Sequence, residues 1–323
     1  MSIKRRNLHE SLENWIMAES GLGPGIGDVH YLCNSATGAP YLWLKQRGVD
    51  SDHLHVTIAA AYAALTAGRN DVLVVMPGSH TVSSAFTWGK DYTHMIGAVA
   101  PAQVNTRARF TTSTTCMTPM VTFSADGSVM KNVMWSQDGS HATTAAVNMY
   151  LSGARNYLEN VTLRNLGADS IAGTAMRNLV MAAGDGENLF EKCTIGADTV
   201  DGASGTQAMI EFATGAQNAR NIWRNCTVLG LGAALGTFIL ASGNQCINSF
   251  QLFDRCLFFN NDVSGMDPMT QAFNIGAACG GFFILMDCLV YGASCYETTN
   301  SGVLYGRHSY AAATSDVAVA LTF

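Results

Sequence analysis

Charged side chains are scarce in this sequence. Only 13% of its 323 residues are Asp, Glu, Lys or Arg, whereas an average soluble domain has roughly 25%. Disordered chains and nucleic-acid-binding chains both depend on many charges, so the composition argues against both classes. The formal net charge of -6 is too small to identify a partner.

Long apolar runs are also absent. No stretch reaches the roughly 18 apolar residues that a membrane-spanning helix needs, so we expect no membrane partner. Three of the first six residues are basic (Lys4, Arg5 and Arg6), but the apolar region of a signal peptide does not follow them. The sequence therefore predicts a protein that is made, and stays or assembles, in a reducing cytoplasm.

Motifs for metal or phosphate chemistry are missing as well. The nine cysteines include no C-x-x-C pair. His53 and His55 alternate as two ligands on a strand would, but the sequence offers no third ligand beside them. No G-x-S-x-G, H-E-x-x-H or phosphate-binding glycine loop occurs. We therefore expect no metal site, no cofactor and no catalytic residue.

The acidic residues do not form an evident catalytic pair. Asp198 and Asp201 lie close together in a glycine-rich stretch, which favours a solvated turn. Glu159 and Glu191 hold the same place in two successive repeats, but that column continues with other residue types. A charged surface stripe is the simpler interpretation of the column.

What the sequence does have is a repeat. From Met120 to Tyr305, each repeat has two predicted strands joined by a glycine-rich turn, and a small residue of the second strand returns at intervals of 28, 32, 33, 30 and 32 residues. A larger apolar residue stands three positions before each small one. The small residues, which we call the ladder residues, are Val133, Val161, Cys193, Cys226, Cys256 and Cys288.

A period of about thirty residues built from strands indicates a solenoid. Equivalent residues of stacked coils lie about 4.8 Å apart. At that spacing disulfides between neighbouring ladder cysteines are conceivable, although free thiols that pack as small hydrophobes are favoured.

The region before the repeats is interpreted as an arm, a loop region and a helix. Residues 1–20 have the spacing of a short amphipathic helix, which either docks on another protein or folds back on its own chain. Tyr31 to Leu44 is interpreted as a loop or edge strand. Residues 56–67, rich in alanine, form the clearest predicted helix. The residues predicted to bind a partner through the arm are Lys4, Arg5, Arg6, Leu8, Leu12, Trp15 and Ile16.

The segment after this region carries a family resemblance. A helix over Thr57 to Ala67, a Pro-Gly turn inside Val72 to Val82 and a strand over His94 to Gly97 follow one another. Together with the later repeats, this order resembles the opening of the pectate-lyase-like right-handed parallel β-helices, in which such a helix caps the first coil. The resemblance implies an all-β, single-stranded parallel β-helix of eight or nine coils. Its parts are an N-terminal arm and loop region (1–50) and a β-helix domain (51–323) that includes the capping helix (56–67) and a C-terminal tail (306–323).

The expected function follows from a stiff solenoid without an evident active site. This predicted architecture resembles that of the β-helical structural proteins of bacteriophage virions. This resemblance implies a non-enzymatic decoration or cement protein of the phage head, located in the virion and assembled in the host cytoplasm. It further implies a homotrimer whose arm binds the major capsid protein or another virion protein, with no nucleic-acid partner. The alternative is a tailspike-like protein that binds or degrades polysaccharide, with Asp198 or Asp201 converging on Glu211.

Overall fold

The computed structural model describes residues 27–102, 106–112, 116–138, 146–165, 175–182, 186–198, 207–230, 236–261, 269–296, 304–307, 310–312 and 318–320. Within these ranges the chain winds into an all-β parallel solenoid that matches a right-handed parallel β-helix. No helix in this part of the chain is both long and apolar enough to cross a membrane.

The coils stack their strands into three sheets, which we name A, B and C in the order in which a coil visits them. Sheet A contains β1 (Val29–Leu32), β2 (Leu54–His55), β3 (Val72–Val75), β6 (His94–Gly97), β9 (Val129–Lys131), β12 (Tyr157–Glu159), β15 (Leu189–Glu191), β18 (Asn221–Arg224), β21 (Phe250–Asp254), β24 (Phe282–Met286) and β26 (Leu304–Arg307). Sheet B contains β4 (Gly78–Val82), β7 (Ala108–Thr112), β10 (Met134–Gln137), β13 (Thr162–Asn165), β16 (Thr194–Gly196), β19 (Thr227–Gly230), β22 (Leu257–Asn260), β25 (Leu289–Tyr291), β27 (Tyr310–Ala312) and β28 (Ala318–Ala320). Sheet C contains β5 (Phe86–Trp88), β8 (Val121–Phe123), β11 (Val147–Leu151), β14 (Arg177–Met181), β17 (Ala208–Phe212), β20 (Thr237–Ala241) and β23 (Phe273–Ile275).

Each complete coil therefore has three strands, whereas the repeat pattern of the sequence predicts two. The pattern merges the strands of sheets A and B, because in most coils only two residues separate them. In the coil of Tyr157–Glu159 these residues are Asn160 and Val161. Asn160 has a φ of 51°, a left-handed conformation that turns the chain sharply, and Val161 then points inward and is buried.

The same corner recurs along the solenoid, and we call it the A–B corner. The left-handed residues are Asn132, Asn160, Lys192, Asn225, Arg255 and Asp287, each directly before a ladder residue. All six ladder residues are buried. The thiol of Cys226 donates to the carbonyl oxygen of Phe190 (3.6 Å), and that of Cys256 to the carbonyl oxygen of Trp223 (3.4 Å). The ladder cysteines are free thiols that satisfy main-chain acceptors of the preceding coil.

Large side chains of the inward faces fill the interior between the three sheets. Trp223 stacks between Phe190 and Phe253, with ring centroids 3.6 Å and 5.4 Å away. Trp135 stacks on Phe110 at 4.2 Å. Because register is fixed by parallel pairing, the same inward position in each coil builds a continuous apolar column.

Two helices precede the regular coils. The first, α1 (Ala39–Gln46), corrects the interpretation of Tyr31 to Leu44 as a loop or edge strand; Pro40 lies in its first turn, where proline is compatible with a helix. The second, α2 (Ile58–Ala64), is shorter than the predicted 56–67. Thr57 accepts a hydrogen bond from the Ala60 amide and thereby begins it.

Helix α2 packs its buried residues Ile58 and Ala61 into the same apolar cluster as Trp88. Its predicted role as the cap of the solenoid is not confirmed. Sheet A continues past β3 into β1 and β2, so strand β1 of the region assigned to the arm and loop pairs with the β-helix.

At the other end, β27 and β28 pair antiparallel. The C-terminal tail thus supplies two strands at the end of sheet B. The solenoid has about six turns, fewer than the predicted eight or nine. In the described residues sheet C has seven strands while sheets A and B have 11 and 10, because the coils at both ends are incomplete.

Candidate functional site

One A–B corner differs from the others. Between β6 and β7 the connection runs from residue 98 to residue 107, whereas two residues suffice at the corners that follow. Pro101 of this longer connection and the corner residues of the next coils enclose a groove of about 480 Å³, a size typical of small-molecule sites. We call it the corner groove. It is lined by Pro101, Lys131, Asn132, Glu159, Asn160, Lys192 and Asn225.

Glu159 is the most highly coordinated charged residue of the groove. Its Oε2 atom lies 2.7 Å from Nζ of Lys131 and accepts a hydrogen bond of 2.9 Å from the Tyr157 hydroxyl. Burial, reinforced by the hydrogen bond to Glu159, raises the pKa of Tyr157 above its ordinary value, so the phenol remains a proton donor. The Lys131 side chain is only 7% exposed and that of Glu159 17%, so the pair is held largely out of water.

A second carboxylate lies next to the first. Glu191 pairs with Glu159 in register on the neighbouring strand. The ammonium group of Lys192 lies 3.9 Å from Glu159 Oε1 and 3.8 Å from Glu191 Oε1. Because one ammonium contacts both groups, the two carboxylates are less than ~8 Å apart, which is below the upper limit of about 9.5 Å that glycoside hydrolases use.

The side-chain amides of Asn132 and Asn160 form the floor of the groove. The Asn160 amide donates to Asn132 Oδ1 at 2.8 Å. Both residues are also the left-handed corner residues of their coils, a conformation that asparagine tolerates better than most residues. The same residue type therefore shapes the corner and supplies polar groups at the groove.

The charged column that the sequence indicates is present, but it is more than a surface stripe. Strand register places Lys131, Glu159, Glu191, Arg224, Asp254 and Met286 side by side on sheet A. At its other end, Asp254 pairs with the exposed Arg255 at 3.1 Å. Towards Lys131 it enters the corner groove and becomes a pair of carboxylates between two lysines.

The histidines come together more than the sequence predicts. His30, on β1, stacks on His53 with ring centroids 4.6 Å apart, and its Nδ1 atom lies 3.1 Å from Nε2 of His55. Burial, and then the neighbouring His53 and His55, lower the pKa of His30 to about 4. Even so, no group of three or more His, Cys, Asp or Glu in the described residues is arranged to hold a metal ion.

Two of the three acidic residues named for the alternative function, Asp198 and Glu211, lie in the part of the chain that the structure describes. Glu211 on β17 forms an ion pair with Arg177 on β14. Asp198 is half-buried in the turn after β16, and Asp201 lies outside the described residues. The predicted partner-binding residues of the arm, from Lys4 to Ile16, also lie outside them.

A buried amide ladder was not predicted from the sequence. Asn156 Oδ1 accepts from the Ser128 amide at 2.8 Å, Asn188 Oδ1 from the Asn156 amide at 2.9 Å, and Asn221 Oδ1 from the Asn188 amide at 2.9 Å. These asparagines enter the strands of sheet A and satisfy main-chain donors where the coil turns. The sequence does carry a signal for them, since an Asn recurs two positions before Leu158, Phe190 and Trp223.

Three stacked parallel sheets with an inward apolar column and a polar corner groove define a pectate-lyase-like right-handed parallel β-helix. Solved structures support the same class. The chain is 14% identical to the pectin methylesterase PemA from Erwinia chrysanthemi, with a TM-score of 0.57 over 91% of this chain and 92% of that one. It is 14% identical to a pectin methylesterase mutant in complex with a hexasaccharide (TM-score 0.55; 89% and 91% covered) and 12% identical to the pectate lyase Pel9A (TM-score 0.55; 85% and 65% covered).

No protein-family model and no curated protein sequence matches the chain. At such low identity the similarity to solved structures shows the fold alone. The prediction of a non-enzymatic protein, which was based on this fold, is wrong in that argument, because solved proteins of the same fold are enzymes named for pectin and pectate. The virion location, the capsid partner and the homotrimer stay predictions that the described residues do not test.

Proposed function

We propose that this protein is a polysaccharide-active enzyme that hydrolyses a glycosidic bond in the corner groove. The observation that carries the proposal is the pair of adjacent carboxylates, Glu159 and Glu191, that share the ammonium group of Lys192. Glycoside hydrolysis by either stereochemical course requires two carboxyl groups that flank one bond. The neighbouring enzymes named for pectin and pectate agree with a polymeric carbohydrate substrate.

The contacts assign different roles to the two carboxylates. Oε2 of Glu159 already binds Lys131 and Tyr157, so Oε1 is the oxygen that faces a substrate or an attacking water. We infer that Glu159 is the nucleophile or general base. Glu191 contacts the exposed Lys192 and is the residue that would donate a proton to the departing sugar oxygen.

The surface beside the groove suits an extended substrate. Two residues before the charged column, half-buried side chains form an apolar column along the outer face of sheet A. Equivalent positions repeat every 4.7–4.9 Å along parallel strands, so a sugar chain lying along the solenoid meets an apolar contact and a polar contact in every coil. The members of the apolar column are Tyr157, Leu189, Ile222, Leu252 and Ile284.

The experiment is a screen of the purified chain against acidic and neutral polysaccharides, with release of reducing ends as the readout. On a substrate that is cleaved, Glu159→Gln and Glu191→Gln should each lower the rate by about 100-fold or more, while binding to the polymer is retained. Asp254→Asn is the matched control, because Asp254 belongs to the same column but lies two strands beyond Glu191, away from Glu159 and the groove.

The possible outcomes distinguish hydrolysis in the corner groove from other functions. Polysaccharide binding without cleavage would leave a binding protein and remove the catalytic roles of Glu159 and Glu191. Full activity of Glu159→Gln would place the reaction elsewhere on the molecule. A chain that neither binds nor cleaves any polymer of the screen would overturn the proposal as a whole.

A further inference from the structure

A second group of cysteines lies away from the ladder and from the corner groove. Cys246 and Cys279 occupy equivalent turns of two successive coils, where sheet C leads back to sheet A. The Ile247 amide donates to the carbonyl oxygen of Cys279 at 3.1 Å, and the Gln245 amide to that of Ala278 at 2.9 Å. These two bonds place Cys246 and Cys279 directly side by side in a parallel register.

The two thiols contact each other. Cys279 is hydrogen-bonded to Cys246, and Cys246 also donates to the carbonyl oxygen of Gly243 at 3.2 Å. The hydrogen bond from Cys279 lowers the pKa of Cys246, whereas the same contact, with burial, raises the pKa of Cys279. Cys246 is thus the better nucleophile, and Cys279 lies where it can attack the Cys246 sulfur in a second step.

We propose that Cys246 and Cys279 are a disulfide-forming pair that links two coils of the solenoid when the protein meets a small-molecule disulfide such as oxidised glutathione. Cα atoms of parallel neighbours lie about 4.8 Å apart, within the range of about 4.4–6.8 Å that disulfides occupy. Both cysteines are free and fully buried in the reduced chain.

The backbone around this pair is more adaptable than that of the ladder. Cys279 precedes Gly280 and Gly281, whose φ values of 74° and 55° lie where glycine has conformational freedom. The ladder cysteines instead follow left-handed residues that carry side chains, such as Asn225 and Arg255. Ladder thiols donate to carbonyl oxygens of the preceding coil, whereas the Cys246 thiol donates to Gly243 within its own turn.

The reaction balances with glutathione disulfide as the oxidant. When local opening of the turn exposes the buried Cys246, its thiolate attacks one sulfur of glutathione disulfide, which breaks the S–S bond and releases one glutathione thiolate. The Cys279 thiolate then attacks the Cys246 sulfur of the mixed disulfide and displaces the second glutathione. Two protein thiols are oxidised, two electrons reduce one glutathione disulfide, and the two protons end on two glutathione thiols.

The test uses the full-length chain, incubated under native conditions in glutathione buffers of increasing oxidised fraction. Remaining thiols are alkylated with N-ethylmaleimide in denaturant, and the unreduced digest is mapped by mass spectrometry. We expect a linked peptide pair that contains Cys246 and Cys279, while Cys193, Cys226, Cys256 and Cys288 are alkylated. The linked form should melt about 5 °C higher, because the bridge closes a long loop in the unfolded chain.

Two variants keep the result interpretable. Cys279→Ala should abolish both the linked peptide and the rise in melting temperature. Cys256→Ala, which removes a ladder thiol of similar burial, should retain both. A bridge within the ladder with Cys246 and Cys279 alkylated, or no bridge under native conditions, would overturn the proposal.

Discussion

The main-chain amide of Val129 donates a hydrogen bond of 3.1 Å to Nδ1 of His94. This bond joins β9 to β6 across two coils of sheet A. The opposite nitrogen of the ring, Nε2, lies 3.2 Å from Oδ1 of Asn70 and donates to it. Because Nδ1 accepts and Nε2 donates, the folded chain binds the neutral imidazole of His94 in one tautomer.

We predict that this arrangement destabilises the protein in mild acid. Burial lowers the pKa of His94 from 6.5 to about 4, so the unfolded chain takes up a proton at higher pH than the folded one. The contribution of neutral His94 to the free energy of unfolding is complete above pH 6.5 and is lost as the pH falls to about 4. Each pKa unit is worth about 1.4 kcal/mol, so the loss is roughly 3 kcal/mol. Urea unfolding at successive pH values measures it.

The matched variant is His94→Gln, whose amide can accept from Val129 and donate to Asn70 without titrating. Its free energy of unfolding should fall less steeply than that of the parent between pH 6.5 and 4. A residual slope is expected, since burial also lowers the pKa of His30 to about 4. Equal slopes for the two chains would show that His94 does not titrate differently in the folded state.

The repeat makes the fold predictable from sequence, because each coil needs the same inward residues at the same places. The intervals from Val133 to Cys288 identify the repeating coil, although the predicted total of eight or nine exceeds the about six turns of the structure. The boundary between sheets A and B is not predictable in the same way, because the corner is only two residues long. A left-handed Lys192 or Arg255 gives no local signal, unlike the glycine that usually occupies such a conformation.

Only part of the candidate site can be predicted from the sequence. Glu159 and Glu191 can be recognised as one column, because the column depends on the repeat. The groove depends on the long connection that carries Pro101, and on Lys131, which lies outside the pair of acids that the repeat singles out. Each of these features occurs in one coil only, so the repeat pattern does not reveal it.

We predict that Gly97→Ala disturbs the wall of the groove. Gly97 ends β6 where the long connection begins, and a Cβ atom there would overlap the Asn132 carbonyl oxygen and lie 2.8 Å from the Ala108 Cβ atom. The backbone of two coils would have to move apart, at a cost of at least about 2 kcal/mol. Denaturant unfolding and polysaccharide binding should both be impaired.

Gly48→Ala is the control for the Gly97 variant. Gly48 has a φ of 84° and nothing within 4 Å of an added Cβ atom. Its substitution should therefore cost only the left-handed strain of about 1 kcal/mol and leave polysaccharide binding unchanged. If the two variants lose equal stability, the close contacts around Gly97 do not account for the loss of stability in its variant.

A third prediction concerns Trp223 in the core. Among the described residues, its indole N–H is buried without a hydrogen-bond partner, which is costly. Trp223→Phe removes that donor and keeps a ring between Phe190 and Phe253, so it should change the free energy of unfolding by less than about 1.5 kcal/mol. Trp223→Ala leaves a cavity and should cost about 3–5 kcal/mol. A phenylalanine variant as unstable as the alanine variant would show that shape, not the donor, decides this position.

The last prediction separates stability from catalysis in the corner groove. Lys131→Met removes the partner 2.7 Å from Glu159 and leaves a carboxylate that is largely shielded from water, so we expect a loss of about 2 kcal/mol. In the double variant with Glu159→Gln, most of that stability should return, because no unpaired charge remains, while hydrolysis stays abolished. The exposed pair of Arg220 and Glu187 is the control, and its double-mutant cycle should show little coupling, as at other solvated ion pairs. Additive losses at Lys131 and Glu159 would mean that water already screens the groove, and the carboxylates would then lack the dry surroundings that the proposed hydrolysis uses.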